Sequence, residues 1–180
     1  NHAGGAGKTS LTQNIGCELA SAGQRVLLID LDPQANLSSF LGVDDAKSEE
    51  TIEGVTKGQT TLPTPRRVSG LDLIPSEIDL ALAESYMPGR VGAELFLARA
   101  LKTVSEQYDV VLIDSPPSVG KLSAMGALAA DMLIVPIPTR NEGLLALRGL
   151  SEVLMQYHLL KPSLHVGIYV PTMYNARRNH

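Results

Sequence analysis

The chain has 180 residues, 15 Lys+Arg against 19 Asp+Glu, a net charge of −4 and one cysteine. That length suits about one domain with a sizeable core, and 44% hydrophobic against 19% charged residues excludes a disordered chain. Cys17 alone excludes an internal disulfide framework and any zinc site built on two cysteines, and the acidic balance gives no global nucleic-acid footprint.

The chain opens on Gly4-Gly5-Ala6-Gly7-Lys8-Thr9-Ser10. Small residues there let backbone N–H groups face phosphate oxygens, with Lys8 reaching the β- and γ-phosphates and the Thr9 hydroxyl ligating Mg²⁺. The strict pattern G-x-x-x-x-G-K-[ST] would need a glycine at His2, and the deviant form with paired Gly4-Gly5 is present instead. Such loops follow a strand. The expectation is therefore a single nucleotide-binding domain over 1–180, a fragment lacking its first strand and its C-terminal part.

Next, Leu11, Ile15, Leu19 and Ala22 recur at helical spacing and Gly23 offers a stop. Val26-Leu27-Leu28-Ile29 reads as a buried strand and runs straight into Asp30-Leu31-Asp32-Pro33-Gln34-Ala35-Asn36. Val43 to Gly70 is a polar excursion with room for one short helix. Leu71-Asp72-Leu73-Ile74 is a weaker strand stopped by Pro75. Leu97, Leu101, Val104 and Tyr108 predict a second helix. The strand Val110-Val111-Leu112-Ile113 leads into Asp114-Ser115-Pro116-Pro117-Ser118. A strand at Met132-Leu133-Ile134-Val135, a helix marked by Leu147, Leu150, Leu154 and Tyr157, and a strand from Val166 to Val170 complete the chain.

Strands alternating with helices predict a doubly wound α/β fold, a mostly parallel sheet with helices on both faces. Ligands then sit beyond the carboxyl ends of the strands. Both acidic clusters lie there, on one rim with the glycine loop. A carboxylate in that place holds Mg²⁺ through a water or orients an attacking water. An acidic turn or helix cap is the ordinary alternative, and for Asp30 it stays open.

Taken together, Gly4 to Thr9, Asp30 to Asn36 and Asp114 to Pro117 resemble the ParA family of DNA-partition ATPases. Ala146-Leu147-Arg148-Gly149-Leu150 and Pro171-Thr172-Met173-Tyr174-Asn175-Ala176-Arg177 extend the likeness to Arg177. The resemblance implies a cytoplasmic, nucleoid-associated protein that hydrolyses ATP with Mg²⁺. It implies an ATP-dependent homodimer, nonspecific DNA binding and stimulation by a ParB-type centromere-binding protein. Carried over by position, Gly4, Gly5, Ala6, Gly7, Lys8, Thr9 and Ser10 bind the phosphates and Lys8 and Asp32 serve catalysis. Thr9, Asp32 and Asp114 attend the metal, and Pro171, Met173 and Asn175 lie near the adenine.

One departure stands out. The family usually carries a lysine just before the paired glycines, reaching the partner's nucleotide across the dimer, and here that position is Ala3. At about 4 Å such a charge contributes on the order of 4 kcal/mol at an effective dielectric near 20, before desolvation. Adjacent His2, mostly neutral at pH 7, is a poor replacement. The family's basic DNA-binding residues lie largely beyond residue 180, and the doublets Arg66-Arg67 and Arg177-Arg178 read as solvated surface pairs.

Two other functions compete. A membrane-associated positioning ATPase of the MinD type needs a C-terminal amphipathic helix, and no run here approaches the roughly 20 apolar residues of a membrane span. A metabolic enzyme sharing the loop needs substrate-pocket residues that the sequence does not reveal. The four histidines are scattered without metal spacing, and Cys17 reads as a small apolar filler.

Overall fold

The computed structural model describes residues 5–139 and 141–173, the side chains of 141–148 excepted. Helix α1 (Lys8–Ser21) leads into strand β1 (Val26–Asp30), then α2 (Asn36–Phe40) and α3 (Glu53–Thr56). Strands β2 (Arg66–Val68) and β3 (Leu71–Ile74) form a hairpin, followed by α4 (Ala83–Tyr86) and α5 (Phe96–Leu101). Strand β4 (Val110–Asp114), α6 (Lys121–Ala129), β5 (Met132–Pro138), α7 (Asn141–Leu160) and β6 (His165–Thr172) complete the order.

The strands form a four-stranded sheet, β2-β3-β1-β4, and a parallel pair, β5-β6. Every pairing is parallel except the β2–β3 hairpin. Between β4 and β5 lies a cavity of about 160 Å³, walled by Leu11 and Ile15 of α1 and by Gly126 and Ala127 of α6.

β1 is the centre of the core. Its five residues are all buried, as an uninterrupted apolar strand between two helical layers should be. Leu27 and Ile29 face one layer, packing with Ile74, Leu97, Leu122 and Met125. Val26 and Leu28 face the other, with Leu37, Leu71 and Leu73, against Cys17, Leu19 and Ala20 of α1. Burying each such side chain contributes roughly 1.5–3 kcal/mol. α1 lies so close that a Cβ at Gly16 would stand 2.8 Å from Leu28 Cδ2. The helix stops as its sequence predicts. Gly23 takes φ 88, its N–H donates to Ala20 O at 3.0 Å, and Gln24 N–H donates to Leu19 O at 3.0 Å, the paired closure of a glycine-terminated helix.

The doubly wound, mostly parallel α/β architecture is therefore as expected, with several corrections in detail. The second helix is short. Leu97 and Leu101 lie in α5, Val104 falls in turns, and Tyr108 precedes β4, where its hydroxyl donates to Asp72. The polar excursion holds not only α3 but also strand β2. α6 has no clear apolar stripe to announce it: Leu122, Met125, Gly126, Ala127 and Leu128 are buried, while Ser123, Ala124 and Ala129 are partly buried. Ile168 and Tyr169 are about half exposed, so β6 is less covered than expected, and among the described residues it pairs only with β5. Arg66 and Arg67 are not simply solvated. Arg66 pairs with Asp45 and Glu50, and Arg67 with Asp72.

Candidate active site

The glycine loop turns through Gly5 and Gly7, at φ 86 and 90, a left-handed backbone that side chains disfavour. Gly7 thereby directs the chain into α1, whose first residues are Lys8, Thr9 and Ser10. The positive end of a 14-residue helix faces the loop. Gly4 and Ala3 lie outside the described residues.

The late segment reaches this loop from the far end of the sequence. Thr172 Oγ1 donates to Ala6 O at 2.9 Å, and its side chain would lie 3.7 Å from a Cβ placed at Gly7. Met173 approaches Gly5, and the Thr139 hydroxyl donates to the Met173 carbonyl. Met173 thus stands beside the glycine loop, Pro171 lies in β6 one residue before Thr172, and Asn175 lies outside the described residues. Thr172, quoted within the late segment but given no role of its own, makes the closest of these contacts.

The two acidic clusters meet because β1 and β4 run parallel in register, with Asp30 opposite Asp114 and Leu31 N–H donating to Asp114 O at 2.8 Å. Lys8 stands by both Asp114 and Asp32. Burial pulls its pKa down, and the two carboxylates pull it back up. Asp32 is 7% exposed. Its Oδ1 accepts Gln34 N–H at 3.0 Å and its carbonyl accepts Ala35 N–H at 2.8 Å. That turn, with Ala35 in the left-handed region at φ 51, starts α2.

Asp114 is 1% exposed, and neither carboxylate oxygen has a hydrogen-bond partner among the described residues. Burial pushes its pKa up to about 6, and the facing Thr9 hydroxyl and Lys8 offset only part of the rise. An orphaned buried carboxylate is expensive. Beside a hydroxyl and an ammonium, it fits a site built to receive a hydrated cation. No cluster of three His, Cys, Asp or Glu side chains able to hold a metal exists among the described residues. Mg²⁺ keeps waters and takes ligands from phosphates and one or two protein oxygens, so the Thr9 hydroxyl and the Asp114 carboxylate would suffice to hold it.

Asp30 belongs to the interior. Its carboxyl is pushed up to about 6 by burial, against the hydrogen bonds of Ser38 and Asp32 that favour the charged form. The α6 N-terminus, on the same rim, is already occupied: the Glu84 carboxylate accepts Lys121 N–H at 2.8 Å and Leu122 N–H at 3.1 Å. Sequence reasoning missed this cap and Ser38, since each depends on partners 37 and 8 positions away.

Residues 1–168 match the AAA domain family. A probable plasmid-partitioning protein ParA of Thermus thermophilus is 50% identical over 98% of this chain. The chain spans 57% of that relative's length. The sporulation initiation inhibitor Soj of Bacillus subtilis is 36% identical, over 99% of this chain and 72% of its own. Among solved structures, a cobyrinic acid a,c-diamide synthase of Mycobacterium smegmatis with a bound ATP analogue and magnesium superposes with TM-score 0.88. It is 37% identical, covering 100% of this chain and 75% of its own. A Borrelia burgdorferi plasmid partition protein superposes with TM-score 0.85 at 25% identity, over 100% of this chain and 80% of its own.

Proposed function

The chain belongs to the ParA/Soj family of partition ATPases, within the AAA domain family, and on that premise we propose that it is a Mg²⁺-dependent ATP switch that segregates plasmid or chromosomal DNA. The observation that carries this reading is the pair of buried carboxylates Asp32 and Asp114, with Lys8 at the start of α1 within electrostatic reach of both.

The residues divide the work. The N–H groups of the Gly5–Gly7 loop and the positive end of α1 receive the phosphates, and the Lys8 ammonium offsets their charge. Thr9, through its hydroxyl, and Asp114, through its carboxylate, would hold Mg²⁺, with Asp32 close by. The bound ion would supply charge neutralisation for the phosphoryl group. Asp32 orients the attacking water through the carboxylate oxygen that its own turn does not use. Pro171 and Met173 border the nucleotide from the β6 side. The switch dimerises on ATP, holds DNA without sequence preference in the cytoplasm at the nucleoid, and is stimulated by a ParB-type partner.

The test is an ATPase assay of the intact protein alone, with DNA, and with DNA plus its ParB-type partner. Turnover should rise most in the third case. Anionic vesicles replacing DNA as the stimulating surface would favour the MinD-type alternative. ATP consumption coupled to amide formation would favour a metabolic ligase. Within the same assay, Asp32→Ala should bind ATP and lose turnover, and normal hydrolysis by that variant removes Asp32 from its role.

A further inference from the structure

Asp30 is a completely buried carboxylate that the ATPase reading leaves without a task. It is the last residue of β1, and its carboxylate bonds divide between the Asp32 backbone and Ser38 of α2. Oδ1 accepts the Asp32 N–H at 3.0 Å. Oδ2 accepts two donors from Ser38 of α2, the backbone N–H at 2.9 Å and the hydroxyl at 2.8 Å. The Ser38 oxygen in turn accepts Ser76 N–H at 3.1 Å, from the loop after β3. One side chain thus joins the end of β1, the start of α2 and the loop beyond β3, all inside the protein.

We propose that Asp30 is a positioning residue that fastens the Asp32 turn to the sheet. The geometry exceeds a helix cap. A cap for α2 needs only the oxygen on Ser38, whereas the second oxygen turns back to the Asp32 backbone. Among the described residues, the other hydrogen bonds to Asp32 come from its own C-terminal side, through Gln34 and Ala35. Without Oδ1 of Asp30 the turn keeps its internal bonds but loses its tie to β1. The Asp32 carboxylate then samples positions away from the rim. Hydrogen bonds to an ionised acceptor are the stronger class, enough to fix one placement of a short turn. Since reacting groups must be held to a fraction of an ångström, Asp30 governs turnover and leaves nucleotide affinity to the glycine loop. The inference rests on Asp32 as the water-orienting group.

Single-turnover phosphate release and ATP titration of the intact protein test it. Asp30→Asn preserves volume and one carbonyl oxygen but turns an NH₂ toward the two Ser38 donors. The expected result is about a 30-fold loss of turnover with ATP affinity within about threefold of wild type. In an Asp32→Ala background the same change should cost less than about twofold, because residues acting as one unit are non-additive. Ser38→Ala, which removes only the hydroxyl link, should lose turnover by about threefold, and Ser38→Thr should restore it. Wild-type turnover in Asp30→Asn overturns the proposal. So does an equal loss in both backgrounds, which marks a purely structural residue. If Asp30→Asn does not fold, the Ser38 pair decides: loss in Ser38→Ala that is independent of Asp32 overturns it. Normal turnover by Asp32→Ala alone is a different failure, of the underlying role of Asp32.

Discussion

Asp30 and Asp114 occupy matching positions. Each closes a parallel strand after four apolar residues, and the two face one another in register. Burial raises the pKa of both to about 6. Their surroundings are opposite. Asp30 has three donors on its two oxygens, all from its own side of the sheet. Asp114 has none among the described residues, although Thr9 and Lys8 face it. The same sequence signal therefore produces one carboxylate saturated by the protein's own donors and one that the described residues leave without a donor. Burial alone does not separate them, and partner count does.

The largest effect should come from removing the cation between the two clusters. Lys8→Ala should weaken ATP binding by at least about 100-fold in a fluorescent-nucleotide titration, since a charge-assisted phosphate contact is lost. Wild-type affinity would break the phosphate-loop assignment and, with it, the reading of Asp114. The contrast itself is sharpened by metal. Asp114→Ala should erase most of the gain in ATP affinity on adding Mg²⁺, about tenfold for a residue holding metal-bound water. Asp30→Asn should leave that gain intact. Equal Mg²⁺ responses in the two variants would dissolve the distinction.

A comparable gain is expected from restoring a charge. Ala3→Lys should tighten ATP-dependent dimerisation by about tenfold, roughly 1.4 kcal/mol net of desolvation, as read by light scattering. No change would mean that another cation already faces the partner's phosphates.

The smallest effect lies at the opposite ends of the same two strands. Arg25 and Asp109 precede β1 and β4 and form an exposed ion pair at 2.8 Å, with Arg25 holding the Asp109 carboxyl at about 2. A folded-state pKa below the unfolded value stabilises above about pH 4 and is lost as pH falls through about 2. Asp109→Asn should therefore flatten the acid limb of a thermal-melting profile and leave neutral-pH activity unchanged. Solvent keeps this contribution slight.

The sequence made the strands and the glycine loop legible because both are local. Val26 to Ile29 is apolar without alternation and proves to be the buried centre. Gly4 to Ser10 carries its chemistry in consecutive residues. What escaped notice depends on distant partners. Ser38 matters because Asp30 and Ser76 come to it from two strand ends. α6 is held at its start by Glu84, 37 positions earlier in the chain. The reading of Tyr108 as the end of a helix failed because its hydroxyl finds Asp72 across the sheet edge. Sequence could also not tell Asp30 from Asp114, since donors alone distinguish them.

The bond from Thr172 to the Ala6 carbonyl spans 166 positions. Synthesis proceeds from the amino end, so the glycine loop emerges well before the residue that braces it. α1, β1 and the hairpin β2–β3 can settle against one another in the nascent chain. The loop gains its outer wall only after β5 and β6 have paired and carried Thr172 into place. Contacts of such long sequence separation are slow to form because loop closure precedes their reward. Completion of the phosphate loop is thus a late event in the life of each molecule. A growing chain whose four-stranded sheet is already built still lacks this brace until β6 is in place.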